Sequence, residues 1–444
     1  MRTRIDLGLC ILALIACGCD SGAGNRPPYM IDSDNRIVIH HGVNVANTAK
    51  HSEGHLPWQT QQDFAQLPEW GFNLVRYLVF WEAIEPTQGQ YDDAYIANTI
   101  ERIGWLKDLG VDVLLDVHQD LYGPRFTGNG FPDWTVNDDG LAFTERQPWN
   151  LNYLEPAVIA AFKNFWRSDD MKAQYVAMLE HLLAQVDAQP NVVGLDIMNE
   201  PFPGQDPDFE AVALTRLYED VQAMRRRNGF KTRLFFEPVI FTSAGLPSQL
   251  RFQPDPDCVY SPHYYDVFCH EGGDYADLNA WWMRQAVDGK VAEARAYGTP
   301  ACYGEFGIST QVMGWQRYLD DFIGLMNTYH LSWIYYSFDK INQEGFGIVD
   351  ENGAANERLA HLVEVYPQRI AGRNPEIQYG PRSFQLQYDP IDTAAPTVVF
   401  VPGSLGGVRA TANGSTVAPD AASHCILHYN AGATERQIMR VEWE

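Results

Sequence analysis

Two glutamates stand out by their settings. The segment Asp196-Ile197-Met198-Asn199-Glu200-Pro201 is an apolar run that ends in a polar triplet, and Tyr303-Gly304-Glu305-Phe306-Gly307 places a second glutamate between glycines. Glycoside hydrolysis needs such a pair: one carboxyl stays protonated to release the leaving oxygen, while the other stays ionised to attack the anomeric carbon. Glu200 is the expected general acid/base and Glu305 the expected nucleophile. A separation of ~5 Å suits that division, whereas ~6.5–9.5 Å would leave room for an attacking water. Asn199 supplies an amide for the sugar's 2-hydroxyl, and Arg76, in Asn73-Leu74-Val75-Arg76-Tyr77, is the cation expected to hold Glu305 ionised. His263 and Tyr265 are expected to orient the two glutamates, and His118 with Asp120 to hydrogen-bond the sugar beside the scissile bond. Glu237 is a third carboxylate, expected only to tune the pair.

These residues need a scaffold that brings strand ends together. Short apolar runs alternate with helical patterns at Val38 to Val45, Leu74 to Val79, Val113 to Val117, Val192 to Met198, Arg233 to Pro238, Val259 to His263, Ala301 to Gly304 and Ser332 to Ser337. Eight strands interleaved with helices predict an α/β fold, a closed (β/α)₈ TIM barrel, and nearly every polar residue named above falls at a C-terminal strand end, where this fold builds its sites. After Tyr366-Pro367 the pattern changes to short alternating segments broken by Gly, Pro and Asn. That predicts a small C-terminal antiparallel β-sandwich covering the barrel's flank. The expected division is a signal at 1–19, a tether at 20–36, the barrel at 37–365 and the sandwich at 366–444.

The 444 residues carry a net charge of −25, which disfavours nucleic acid and anionic lipid headgroups and leaves a neutral glycan as the natural partner. Arg2 and Arg4, an apolar run from Leu7 to Ala16 and then cysteines read as an export signal. Leu14-Ile15-Ala16-Cys17 resembles a bacterial lipobox, with Cys19 as the competing site, so the expected location is the cell envelope, peripheral to the membrane through an N-terminal lipid anchor; a secreted soluble form is the alternative. Cys258, Cys269, Cys302 and Cys425 remain, allowing three full pairings. Their spacing matches no zinc pattern, so neither a metal nor a cofactor is expected.

Taken together, Arg76, His118, Asn199-Glu200-Pro201, His263-x-Tyr265 and Glu305 resemble glycoside hydrolase family five, retaining enzymes on this barrel. Within the family the likeness is strongest to endoglycoceramidases, which release intact oligosaccharide from ceramide. It rests on three segments: Asp116 to Asp120 followed by Gly128 to Trp134; Gly42-Val43-Asn44 followed by Lys50, where the family has a sugar-binding lysine; and the tail from Tyr366-Pro367 through Ala371-Gly372. The resemblance implies double displacement at the bond between oligosaccharide and ceramide in glycosphingolipids. Where many members place a tryptophan beneath the sugar, this chain has Tyr336, so Tyr336 or Trp333 is expected to serve as the platform. Phe126, Phe131 and Trp134 are expected to form an apolar end of the cleft. An endo-β-glucanase or other polysaccharide hydrolase on the same barrel is the alternative. A catalytically inactive, surface-anchored glycan-binding lipoprotein is the reading from another class, and it gives no reason for a pair of carboxyls with split protonation.

Overall fold

A computed structural model describes residues 26–340 and 345–444. The export signal, Cys17 and Cys19 lie outside the described residues. Eight parallel strands run in chain order around a barrel, from His41–Val45 through Leu74–Val79, Asp112–Val117, Val192–Asp196, Arg233–Phe236 and Val259–Tyr260 to Cys302–Tyr303 and Ser332–Tyr335. A parallel bridge from Tyr260 to Ala301 closes the ring. Above it, His263–Tyr264 and Glu305–Phe306 pair in parallel, with Glu305 directly opposite His263.

Inward-facing residues of six of the strands fill the barrel floor. Leu74, Leu114, Phe235, Val259, Cys302 and Ile334 form one buried cluster with Met30 and Val38, which plug it from below. The outward faces pack on helices such as Asp93–Asp108, Asp169–Val186, Asp277–Tyr297 and Trp315–Tyr329 in a single large core. Caps set their limits: the Asp92 carboxylate accepts from the amides of Ala94 and Tyr95, and Gly298, at φ 72°, ends the helix before it.

The first barrel strand begins at His41, three residues later than expected. Ile37–Val38 belongs instead to the sandwich, paired antiparallel with Met30–Ile31 and with Arg369–Ile370. Asp32 makes the turn, its carboxylate accepting from the amides of Asp34 and Arg36. The latter part of the segment expected as a tether is therefore a hairpin. It joins Tyr366–Ile370, Thr397–Phe400 and Cys425–His428 in a five-stranded sheet, and a second five-stranded sheet packs on it. Phe384, Leu386 and Tyr388 alternate inward from the second sheet and share one core with Ile37, Ile370, Val399 and Phe400. Ring stacking of His41 on Tyr366, with centroids 3.5 Å apart, locks sandwich to barrel.

Cys258, Cys269, Cys302 and Cys425 are all buried free thiols. Among the described residues, no helix is long and apolar enough to cross a membrane.

Candidate active site

Strand alternation decides which side chains reach the barrel mouth, because residues two apart share a face. Asp116 and His118 do so on the third strand, and the His118 imidazole Nδ1 lies 2.7 Å from Asp116 Oδ2. On the eighth strand, Ile334 and Tyr336 point inward while Trp333 points outward. Trp333 is consequently buried against His41, Phe72 and Phe306. The expectation that it carries the sugar is corrected: of the two, Tyr336 lines the cleft and Trp333 does not.

Arg76 sits at the centre, with no exposed surface. Nη1 donates to Glu305 Oε1 at 2.7 Å and to Asn44 Oδ1 at 3.1 Å. Nη2 donates to Asn199 Oδ1 at 3.0 Å and to Glu237 Oε1 at 2.9 Å, while Nε and Nη2 both reach Asp196 Oδ2. Asp116 Oδ1 lies 3.0 Å away. A guanidinium with five donors in a fixed fork can serve so many acceptors at once; an ammonium cannot.

Glu305 also accepts from the Tyr265 hydroxyl at 2.8 Å. Burial pushes its carboxyl upward, but the positive charges of His263 and Arg76 outweigh burial and hold it below the ordinary carboxylate value. Glu200 goes the other way. Burial raises it, and the nearby charges of Glu305 and Glu237 add to the rise against the hydrogen bond from His263. The split protonation required of the pair is thus built into unequal surroundings. His263 Nδ1, 3.0 Å from Glu200 Oε1, and Ser243 Oγ, at 3.2 Å, both address the same oxygen. With both donating there, the proton of an acidic Glu200 belongs on Oε2.

An oxygen of Glu200, a nitrogen of His263 and an oxygen of Glu305 lie within 4.8 Å of one another. That closeness suits direct attack by a carboxylate and leaves no space for the intervening water of an inverting pair at ~6.5–9.5 Å. The same three atoms have the donor set of a metal site, as do Asp116, Asp196 and Glu237, but in the second group the guanidinium of Arg76 already stands among the carboxylates.

Gly304 is needed beside them: a Cβ there would come within 2.7 Å of His263 Nε2. Glu200 itself holds φ +40°, a left-handed conformation unusual for a residue with a side chain.

Around this centre lies a cleft of about 600 Å³. Part of its lining is polar. Lys50 Nζ donates to Asp120 Oδ2 at 2.8 Å and lies 5.0 Å from the centre of the Tyr336 ring, and His118 Nε2 is 3.3 Å from Asp120. Burial would raise Asp120, but Lys50 and His118 together hold it well below its usual range. A second cavity of about 270 Å³ continues past Lys50, Asp120 and Trp149. Another part of the lining, from the turns after the fifth and sixth strands, is apolar: Ile240, Phe241 and Val267.

The apolar part is thus not where the sequence suggested. Phe126 and Phe131 are fully packed with Trp81, Tyr122 and Phe165, and Trp134 ties its indole to the Glu85 carbonyl at 3.0 Å. They anchor the long loop after the third strand from behind. Sequence reasoning missed Asn44, Asp116 and Ser243 as partners. The first two carried a signal, being polar residues near strand ends; Ser243, in the irregular turn after the fifth strand, carried none.

Known proteins share this architecture. Endoglycoceramidase I of Rhodococcus hoagii is 26% identical over 400 residues, covering 84% of this chain and 78% of that protein. Endo-glycoceramidase II from a Rhodococcus species, solved in complex with ganglioside GM3, superposes with a TM-score of 0.86 at 28% identity, covering 94% of this chain and 99% of that one. The same enzyme solved as a lactosyl-enzyme intermediate gives a TM-score of 0.84, also at 28% identity and with the same coverage. The sequence model of the cellulases, glycosyl hydrolase family 5, matches residues 37–342, which takes in every residue of the barrel-mouth centre; the chain belongs to that family.

Proposed function

We propose that this chain is a retaining endo-β-glycosidase that hydrolyses the bond between oligosaccharide and ceramide in glycosphingolipids. The observation that carries the reading is the mixed lining of the cleft. Polar Lys50, His118, Asp120 and Asn199 and apolar Ile240, Phe241 and Val267 come from loops after different strands, and both glutamates line the same cleft. Aliphatic Ile240 and Val267 beside Phe241 suit a lipid chain better than a sugar face, and the relatives named as endoglycoceramidases support the same substrate.

In the first step Glu305 attacks the anomeric carbon while Glu200 gives its proton to the departing ceramide oxygen, leaving a glycosyl ester on Glu305. In the second, water loses a proton to Glu200 and displaces Glu305, so the oligosaccharide leaves with its configuration retained. Tyr336 lies beneath Lys50 as the sugar platform, and Tyr265 and His263 keep the two carboxyls apart in role.

The N-terminal sequence supports a lipid anchor on Cys17, with Cys19 as the alternative, holding the enzyme at the bacterial envelope near amphiphilic substrates. Loss of membrane association in Cys17→Ala, or only in Cys19→Ala, would assign the site.

Mass spectrometry of the products from lactosylceramide in detergent tests the activity. Free lactose with intact ceramide is the expected result. No release, together with cleavage of soluble β-glucans, would move the enzyme to the polysaccharide hydrolases.

A further inference from the structure

Glu237 follows the fifth strand, Arg233–Phe236, by one residue, is 1% exposed and does not line the cleft. It cannot touch substrate. Its two oxygens nevertheless reach three other strands, and each contact leads to one of the paired glutamates. Oε2 accepts the main-chain N–H of Glu200 at 2.9 Å. Oε1 accepts from Arg76 Nη2 at 2.9 Å and makes an ion contact with His263 Nε2 at 3.2 Å.

The first contact bears on backbone shape. A non-glycine residue at φ +40° is strained and persists only when its surroundings over-determine it. Here the N–H side is fixed by Glu237, and the carbonyl side by Gln119 Nε2, which donates to the Asn199 and Glu200 carbonyls at 3.0 and 2.9 Å. The second contact bears on charge. His263 Nδ1 lies 3.0 Å from Glu200 Oε1 and 3.8 Å from Glu305 Oε2, so the imidazole bridges the pair from behind while Glu237 faces its other nitrogen.

On the assignment of Glu200 and Glu305 made above, we propose that Glu237 is a positioning residue: it holds the acid's backbone in its left-handed turn and keeps His263 cationic between the two carboxyls. Burial alone would strip the proton from His263; the charges of Glu237 and Glu305 reverse that and raise it well above its ordinary value. Other groups face Glu237 as well. Arg76 Nη2 lies 2.9 Å from its carboxylate, the carboxylates of Asp196 and Asp116 lie beside it, and the Tyr218 hydroxyl donates to its carbonyl at 2.8 Å. When Glu237 loses its charge, Arg76 still has Asp116, Asp196 and Glu305, but His263 Nε2 loses its anion. The imidazole then gives up its proton at lower pH, and Glu305, held down by that charge, becomes harder to ionise.

The test is labelling of Glu305 by an activated 2-deoxy-2-fluoro β-glycosyl fluoride, followed by intact mass as a function of pH. The Glu305 carboxylate bonds to the anomeric carbon as the C–F bond breaks and fluoride leaves, so no proton donor is required and the acidic limb reports Glu305. Glu237→Gln is expected to move that limb upward by about one pH unit. It should also lower kcat on lactosylceramide at least about tenfold with KM changed less than about twofold. Glu237→Asp keeps the charge but not the reach, so the limb should stay in place while kcat falls. An unshifted limb in Glu237→Gln overturns the proposal whatever happens to rate or melting temperature. Failure of the wild-type protein to label would overturn the assignment of Glu305 instead. If Glu237→Gln does not fold, Glu237→Asp decides: wild-type kcat overturns the proposal, and a reduced kcat with an unmoved limb supports it.

Discussion

Arg76 Nη1 meets Glu305 Oε1 at 2.7 Å in a place where the guanidinium has no contact with solvent. The same group balances Asp116, Asp196 and Glu237, so it anchors the fold and the chemistry together. Arg76→Met would leave buried carboxylates without their counter-ion, at a cost of about 3–5 kcal/mol. Urea unfolding should show that loss. Arg76→Lys restores a charge but not the fork, and should recover part of the stability while kcat stays depressed at least about 100-fold. Full recovery of kcat by lysine would mean that charge alone matters there.

The two glutamates fix the direction of the pH dependence. As the proposed nucleophile Glu305 must be ionised, and its surroundings hold it below the ordinary carboxylate value, so activity should rise with pH early, on the acid side. As the proposed acid Glu200 must be protonated, and burial with the neighbouring carboxylates pushes it above that value, so activity should fall only after pH has passed the usual carboxylate range. The kcat/KM profile of the free enzyme should be a bell whose limbs lie on either side of 4.5, the unperturbed value for both groups. Because the carboxyls interact, the limbs belong to the pair. A profile with both limbs above neutrality would contradict the assignment.

Truncating each glutamate separates their roles. Glu305→Gln removes the attacking oxygen's charge while preserving shape, and should reduce turnover at least about 10⁴-fold on every substrate. Glu200→Ala should lower kcat on lactosylceramide by about 10²–10⁴-fold but spare substrates whose aryl leaving groups depart without a proton. Equal losses on both substrates would remove Glu200 from the acid role.

Much of this centre was legible in the sequence because barrel strands deliver polar residues at their ends. Asn199-Glu200-Pro201, His118-Gln119-Asp120 and Glu305 between glycines each sit where a short apolar run stops, and all reach the same mouth. The choice between Tyr336 and Trp333 was left open in the sequence although strand alternation decides it: the two lie three residues apart and face opposite ways. What could not be read was the packing of the long loop after the third strand. Phe126 and Phe131 have the composition of a lipid-facing wall, yet Trp81 and Phe165, distant in sequence, pack on Phe131, and Tyr122 and Phe143 pack on Phe126. Likewise the N-terminal hairpin at Met30–Ile31 and Ile37–Val38 is only four strand residues, and its place in the sandwich is set by Arg369–Ile370, more than 300 residues later.

The apolar part of the cleft lining offers the sharpest test of the substrate. Phe241 is 50% exposed beside Ile240 and Val267, an arrangement that leaves a large aromatic in water unless something apolar covers it. Covering a phenylalanine side chain fully contributes about 1.5–3 kcal/mol, and half of that remains to be gained here, so Phe241→Ser should raise KM for lactosylceramide roughly three- to tenfold. The substitution lies away from the carboxyl pair, so kcat should hold. A soluble aryl lactoside has the same sugar and no lipid chains; its KM should stay within about twofold of the wild-type value. Comparing the two KM ratios at fixed detergent isolates the lipid contribution from any general damage to the site. Equal changes on both substrates would show that Phe241 does not meet the ceramide, and an unchanged lactosylceramide KM would place the lipid chains elsewhere on the rim.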